Sequence, residues 1–83
     1  MDESMEVFAK RIKELRNEKD LTVRMLAEEL KISHSSISYY ENCKREATLS
    51  VLKAYSTFFN VSLDYLMGFS DERNKCYGQD KET

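Results

Sequence analysis

The chain has no proline, no tryptophan and only two glycines among its 83 residues. Without proline, helices run uninterrupted, which suits a compact helical protein. So few glycines leave no glycine-rich loop to cradle a phosphate. There is one histidine, His34, and the two cysteines, Cys43 and Cys76, lack metal-ligand spacing. They read as two reduced thiols rather than as a disulfide or a metal centre. One histidine with no cysteine at useful spacing gives no nucleophile–base pair, so catalysis is not expected. No metal or cofactor is expected either. No apolar run approaches the roughly 20 residues of a membrane span, and nothing resembles a signal peptide. The expectation is a soluble cytoplasmic protein with no membrane partner.

What is present is charge and helical periodicity. Charged residues make up 34% of the chain, and the net charge is −2. The distribution matters more than the sum. From Lys10 to Lys53 there are ten basic and seven acidic residues; the two ends together hold three basic and eight acidic. A basic middle between acidic ends is compatible with a nucleic-acid partner, although many helical domains share such asymmetry. The length suffices for one small domain with one core.

The informative stretch is Thr22 to Asn42, TVRMLAEELKISHSSISYYEN. It contains two helix starts one short turn apart. Thr22 and Ser33 are N-cap residues whose hydroxyls accept a bond from an early free N–H. Leu21 with Leu26, and Ile32 with Ile37, have the spacing of hydrophobic staples. The first helix gathers Leu26, Ala27 and Leu30 on one side. The second turns Ile37 and Tyr40 inward, and small Ala27 lets the two helices approach. Ser35, Ser38 and Tyr39 then face outward, on a surface with hydrogen-bonding groups and no large aliphatic residue. A short helix pair with a polar outer face is the geometry of a helix-turn-helix entering the major groove.

Three further helices complete the pattern. Ser4 is the candidate cap of the first, in which Met5, Phe8, Ile12 and Leu15 recur at helical spacing beside Ala9. Thr48 opens a fourth, with Leu49, Leu52, Tyr55 and Phe59 expected inside and Phe58 partly exposed. Ser62 caps a fifth, LDYLM, with Leu66 inward and Gly68 as its stop. Asn42 is a candidate left-handed helix end. Five helices and no strand pattern predict an all-α bundle over residues 1–68. Residues 69–83 are polar and aperiodic, and are expected to form a flexible tail. Tyr65, Met67, Phe69 and Tyr77 are candidates for a dimer contact.

RIKELR, LT…LAEEL, IS…IS.YEN.KR and NVSLDYLMG together resemble the phage Cro and repressor proteins, the XRE-type helix-turn-helix regulators. The resemblance covers about Phe8 to Gly68 and implies the five-helix lambda-repressor-like fold. Four positions depart from the family pattern: Lys31 and Cys43 stand where glycine is usual, Ala47 where proline is, and Val23 where glutamine is. Lys31 and Cys43 are therefore expected to hold positive φ without glycine, a strain of roughly 1–2 kcal/mol each. Val23 removes a side chain that in the family helps fix the DNA backbone. The resemblance also implies a pair between Arg16 and Glu41, with Arg16 leaning toward the DNA backbone.

The functional expectation is a sequence-specific regulator, a repressor, that binds double-stranded DNA as a homodimer on a near-palindromic operator. Ser33 caps the recognition helix and, with Glu41, is structural. His34, Ser35, Ser36 and Tyr39 are the expected base-reading set. Arg16, Thr22, Ser38, Asn42, Lys44 and Arg45 are the expected backbone set. With five short helices and no effector domain in view, control is expected from concentration, a partner protein or the tail. The alternative is a protein-interaction module, antitoxin-like or anti-repressor in kind. It is favoured by Val23 and by a recognition face without arginine or lysine.

Overall fold

The computed structural model describes residues 3–73, and these fold into five helices without a strand among them. Helix α1 spans Glu3–Glu18, α2 Val23–Leu30, α3 His34–Glu41, α4 Leu49–Phe59 and α5 Leu63–Met67. Helix α1 packs against α3 and α5, α2 against α3 and α4, and α4 against α5. Ile12, Leu26, Ile37, Tyr55 and Leu66 are fully buried where these helices meet. Phe8 sets its ring edge-on to both Tyr40 and Tyr55.

The polar caps close the helices as their sequence implies. Thr22 accepts from the Met25 N–H, Ser33 from Ser36, Thr48 from Val51 and Ser62 from Tyr65. Each bond satisfies a donor that the helix itself leaves orphaned. Ser4 does not cap α1, because that helix already includes Glu3. Lys31 and Cys43 are left-handed, both with φ of 58°. Asp20 and Asn60 share that conformation, each with φ of 55°. Asn42 does not: its φ is −106°, and the chain reverses one residue later, at Cys43. At Gly68, with φ of 90°, a Cβ would come within 3.1 Å of Val7.

Helix α4 corrects the expected inner stripe. Leu49 is 82% exposed, and Val51 takes its place in the core. At about 100° per residue, Leu49 lies some 120° around the helix from Tyr55, whereas Val51 lies one turn below it. Tyr65 is also buried rather than available to a dimer. Arg11 and Arg73 hold their guanidinium carbons 4.3 and 5.3 Å from its ring centre.

The segment after Gly68 makes several contacts with the helices over its first five residues. Arg11 donates from Nη1 to the carbonyls of Tyr65 and, at 2.7 Å, of Ser70, and from Nη2 to Asp71 at 2.9 Å. The Ser62 N–H donates to the Arg73 carbonyl at 2.8 Å. The Arg73 guanidinium forks onto Glu18 at 2.8 and 2.6 Å. Aperiodic sequence therefore still packs, because single polar anchors need no repeating stripe. Cys76, Tyr77 and the remainder of the expected tail lie outside the described residues.

Candidate nucleic-acid interface

Helix α3 carries the candidate site, and a buried ion pair ties it to α1. Arg16 on α1 donates from Nε and Nη2 to the two carboxylate oxygens of Glu41 at 2.7 and 3.0 Å. Its Nη1 donates to the Leu21 carbonyl at 2.8 Å. The Glu41 side chain is 5% exposed and that of Arg16 15%. The hydrogen bond to Glu41 raises the Arg16 pKa against the opposing pull of burial. A fork of this kind resists rotation, and it ties together α1, the loop into α2 and the end of α3. Beneath it, burial pushes the Tyr55 phenol above its ordinary pKa, and the Glu41 carboxylate adds to that.

The outward face of α3 is polar and accessible. His34 and Ser35 are exposed at its first turn, and Tyr39 is 44% exposed one turn further on. Ser36 and Ser38 are half-buried. Tyr40 lies in the core, so the two adjacent tyrosines divide as their register predicts. Asn42 folds its amide back onto α3, donating to the Ser38 carbonyl at 2.8 Å. Thr22 is exposed at the start of α2, its hydroxyl already accepting from Met25 at 3.1 Å.

The loop after α3 returns along the helix. The Lys44 N–H donates to the Tyr39 carbonyl at 2.8 Å, and the Lys44 side chain is exposed. Arg45 does not extend away. Its Nη1 donates to Ser36 Oγ at 3.1 Å, and its guanidinium carbon sits 4.7 Å over the Tyr39 ring. The structure thus brings Ser33, Ser36, Tyr39 and Arg45 into one cluster beside His34, Ser35 and Lys44. Arg16 stands apart, turned into the protein. Sequence reasoning missed the docking of Arg45, since a loop residue carries no periodicity to align it with a helix face.

The model of the helix-turn-helix family matches residues 12–66. The chain belongs to the XRE-type helix-turn-helix family. Among curated family members, it is 39% identical over 68 residues to the transcriptional regulator ImmR of Bacillus subtilis. That match covers 82% of this chain and 53% of ImmR. It is 38% identical over 60 residues to the transcriptional activator BcrR of Enterococcus faecalis, covering 72% of this chain and 29% of BcrR. The chain therefore spans about half the length of one relative and less than a third of the other. Among solved structures, the P22 c2 repressor in complex with a synthetic operator superposes with a TM-score of 0.72 at 25% identity. That superposition covers 77% of this chain and 97% of the repressor chain.

Proposed function

We propose that this protein is a sequence-specific double-stranded DNA-binding transcriptional regulator, acting as a repressor by occluding a promoter. The observation that carries this reading is the outward face of α3. It is polar and exposed, while every large aliphatic residue of α2 and α3 except Met25 turns wholly or partly inward. A surface with this division suits a groove lined with base edges better than an apolar protein partner. Family membership and the likeness to an operator-bound repressor support it. Occlusion demands only occupancy of the site, which a rigid helix pair supplies.

In this reading Ser35, Ser36, Tyr39 and His34 meet base edges. Lys44, Thr22, Ser38 and Asn42 lie along phosphates, where hydroxyls, amides and cations position the protein without reading sequence. Arg16 braces α3 through Glu41. A homodimer spaces two α3 helices about 34 Å apart, one turn of duplex. The surface suited to the dimer seam is a pair of adjoining grooves that share Ser4 and Met67 and are lined by Met5, Leu52, Val7 and Phe69.

The test is binding to random duplexes across a salt series, followed by selection of preferred sites. Affinity should fall steeply with salt, because bound phosphates release counterions. Lys44→Ala should weaken binding to all duplexes about equally and reduce the salt slope by roughly one phosphate. Ser35→Ala should instead cost roughly 1–3 kcal/mol on the selected site and spare random DNA. Absence of any salt-dependent duplex binding by the wild-type protein would overturn the reading in favour of a protein-interaction module.

A further inference from the structure

Helix α3, His34–Glu41, holds no lysine or arginine, so the recognition face lacks a strong donor in its own sequence. The fold supplies one from outside the helix. Left-handed Cys43, with φ of 58°, reverses the chain, and Lys44 N–H pins it to the Tyr39 carbonyl. The next residue is thereby brought back over α3. We propose that Arg45, carried on Tyr39 and Ser36, reads the acceptor edge of a guanine in the major groove. This rests on the DNA-binding reading above and concerns which residue of that surface selects a base.

Three observations carry it. The first is position. The Arg45 guanidinium lies over an outward side chain of α3, 4.7 Å from the Tyr39 ring centre, rather than extending away from the helix. The second is orientation. A guanidinium resting on an aromatic ring has one face covered, and its in-plane N–H groups remain available. Only one of its five N–H groups is taken by Ser36. A flat fork with free edge donors suits guanine, which offers N7 and O6 side by side.

The third is the chemistry of Ser36. Its Oγ accepts from Arg45 at 3.1 Å and lies 2.9 Å from the Ser33 hydroxyl. Ser33 Oγ in turn accepts from the Ser36 N–H at 3.2 Å. Ser36 is thus held by the helix cap, and through it the guanidinium is tied to the first turn of α3. A guanidinium carries donors and no acceptor. It matches the two acceptors of guanine and opposes the amino groups that adenine and cytosine place in the major groove. Because Arg45 is already ordered on Tyr39, little side-chain entropy remains to be lost on binding.

The experiment uses the full chain and sites selected from randomised duplexes. Wild-type protein should select a guanine in each half-site. Replacing that guanine by 7-deazaguanine, which lacks the N7 acceptor, should weaken binding roughly tenfold or more. Arg45→Ala should bind the normal and 7-deaza duplexes equally, with an unchanged melting transition. Arg45→Lys should not restore the preference, since an ammonium lacks the fork. Tyr39→Phe should keep it, and Tyr39→Leu should lose it, since the ring face is what carries the guanidinium. A different outcome overturns the proposal while leaving DNA binding intact: Arg45→Ala weakens all duplexes evenly, lowers the salt slope and keeps the guanine preference. That result, or full rescue by lysine, would make Arg45 a phosphate contact. Loss of all salt-dependent binding by the wild type would remove the functional reading itself, and this proposal with it.

Discussion

Two arginine–glutamate forks hold this small fold, and they share a geometry without sharing an environment. Arg16 meets Glu41 at 2.7 and 3.0 Å, and Arg73 meets Glu18 at 2.8 and 2.6 Å. Side-chain exposure is 15% and 5% for the first pair, but 43% and 49% for the second. Distance alone would rank them as equals. Burial separates them, because charges taken out of water depend on each other, whereas exposed charges fall back on solvent. The first fork ties α1 to the end of α3. The second ties the segment after α5 to the end of α1.

The largest expected effect comes from breaking the inner fork. Arg16→Ala or Glu41→Ala strands a buried charge and should cost about 3–5 kcal/mol in chemical denaturation. A double replacement, Arg16→Met with Glu41→Leu, should recover most of that, since neither charge is then left unpaired. Its DNA binding should recover less than its stability, because the fork also ties α3 to α1. A double-mutant cycle without coupling energy would show that burial does not distinguish the two pairs.

How much of this was open to sequence follows the same division. Caps and staples are local, so Thr22, Ser33, Thr48 and Ser62 could be read directly, as could the opposite fates of Tyr39 and Tyr40. The left-handed Lys31 and Cys43 and the inner fork were legible through the family motif, since their partners or conformations recur at fixed places in it. Leu49 was misplaced because a hydrophobic residue beside a cap looks like core unless its angle is counted. The role of Arg11 leaves no trace in the sequence because its partners lie 54 to 60 residues away and two of them are backbone carbonyls. The docking of Arg45 on Tyr39 and Ser36 is not legible because loop residues have no register. Contacts made by single anchors over long separations leave no pattern in a one-dimensional chain.

The next effect in size concerns the segment beyond Ser70. Truncation there removes the Arg73 carbonyl, which accepts from the Ser62 N–H at 2.8 Å, and Ser62 is buried. It also removes Asp71 from Arg11. An orphaned buried donor costs about 1–3 kcal/mol, so the denaturation midpoint should fall measurably. Truncation after Arg73 spares each of these contacts and should leave the midpoint near that of the full chain. An unchanged midpoint after the shorter truncation would show that the anchors contribute nothing to stability.

The smallest effect should come from the outer fork by itself, and its pH dependence identifies it. Arg73→Ala keeps the backbone carbonyl that Ser62 needs and removes the guanidinium from Glu18 and from the hydroxyl and ring of Tyr65. Hydrogen bonds from Arg73 hold the Glu18 carboxyl below its ordinary pKa, with slight burial opposing and the charges of Arg73 and Lys19 assisting. A carboxylate depressed on folding stabilises above its unfolded pKa, about 4.3, and that stabilisation is lost as the pH falls through the lower folded value. Arg73, its own pKa raised by the same contacts, stays charged throughout. Wild type should therefore melt slightly above Arg73→Ala at neutral pH, and the gap should close as the pH drops below about 4. Added salt should narrow it at neutral pH, since both partners are exposed. The inner fork should keep its contribution in the same salt because it is shielded from the counterions. A gap between wild type and Arg73→Ala that ignored both salt and acid would place its origin in the Tyr65 contact, and the contrast between the two forks would then rest on the inner one.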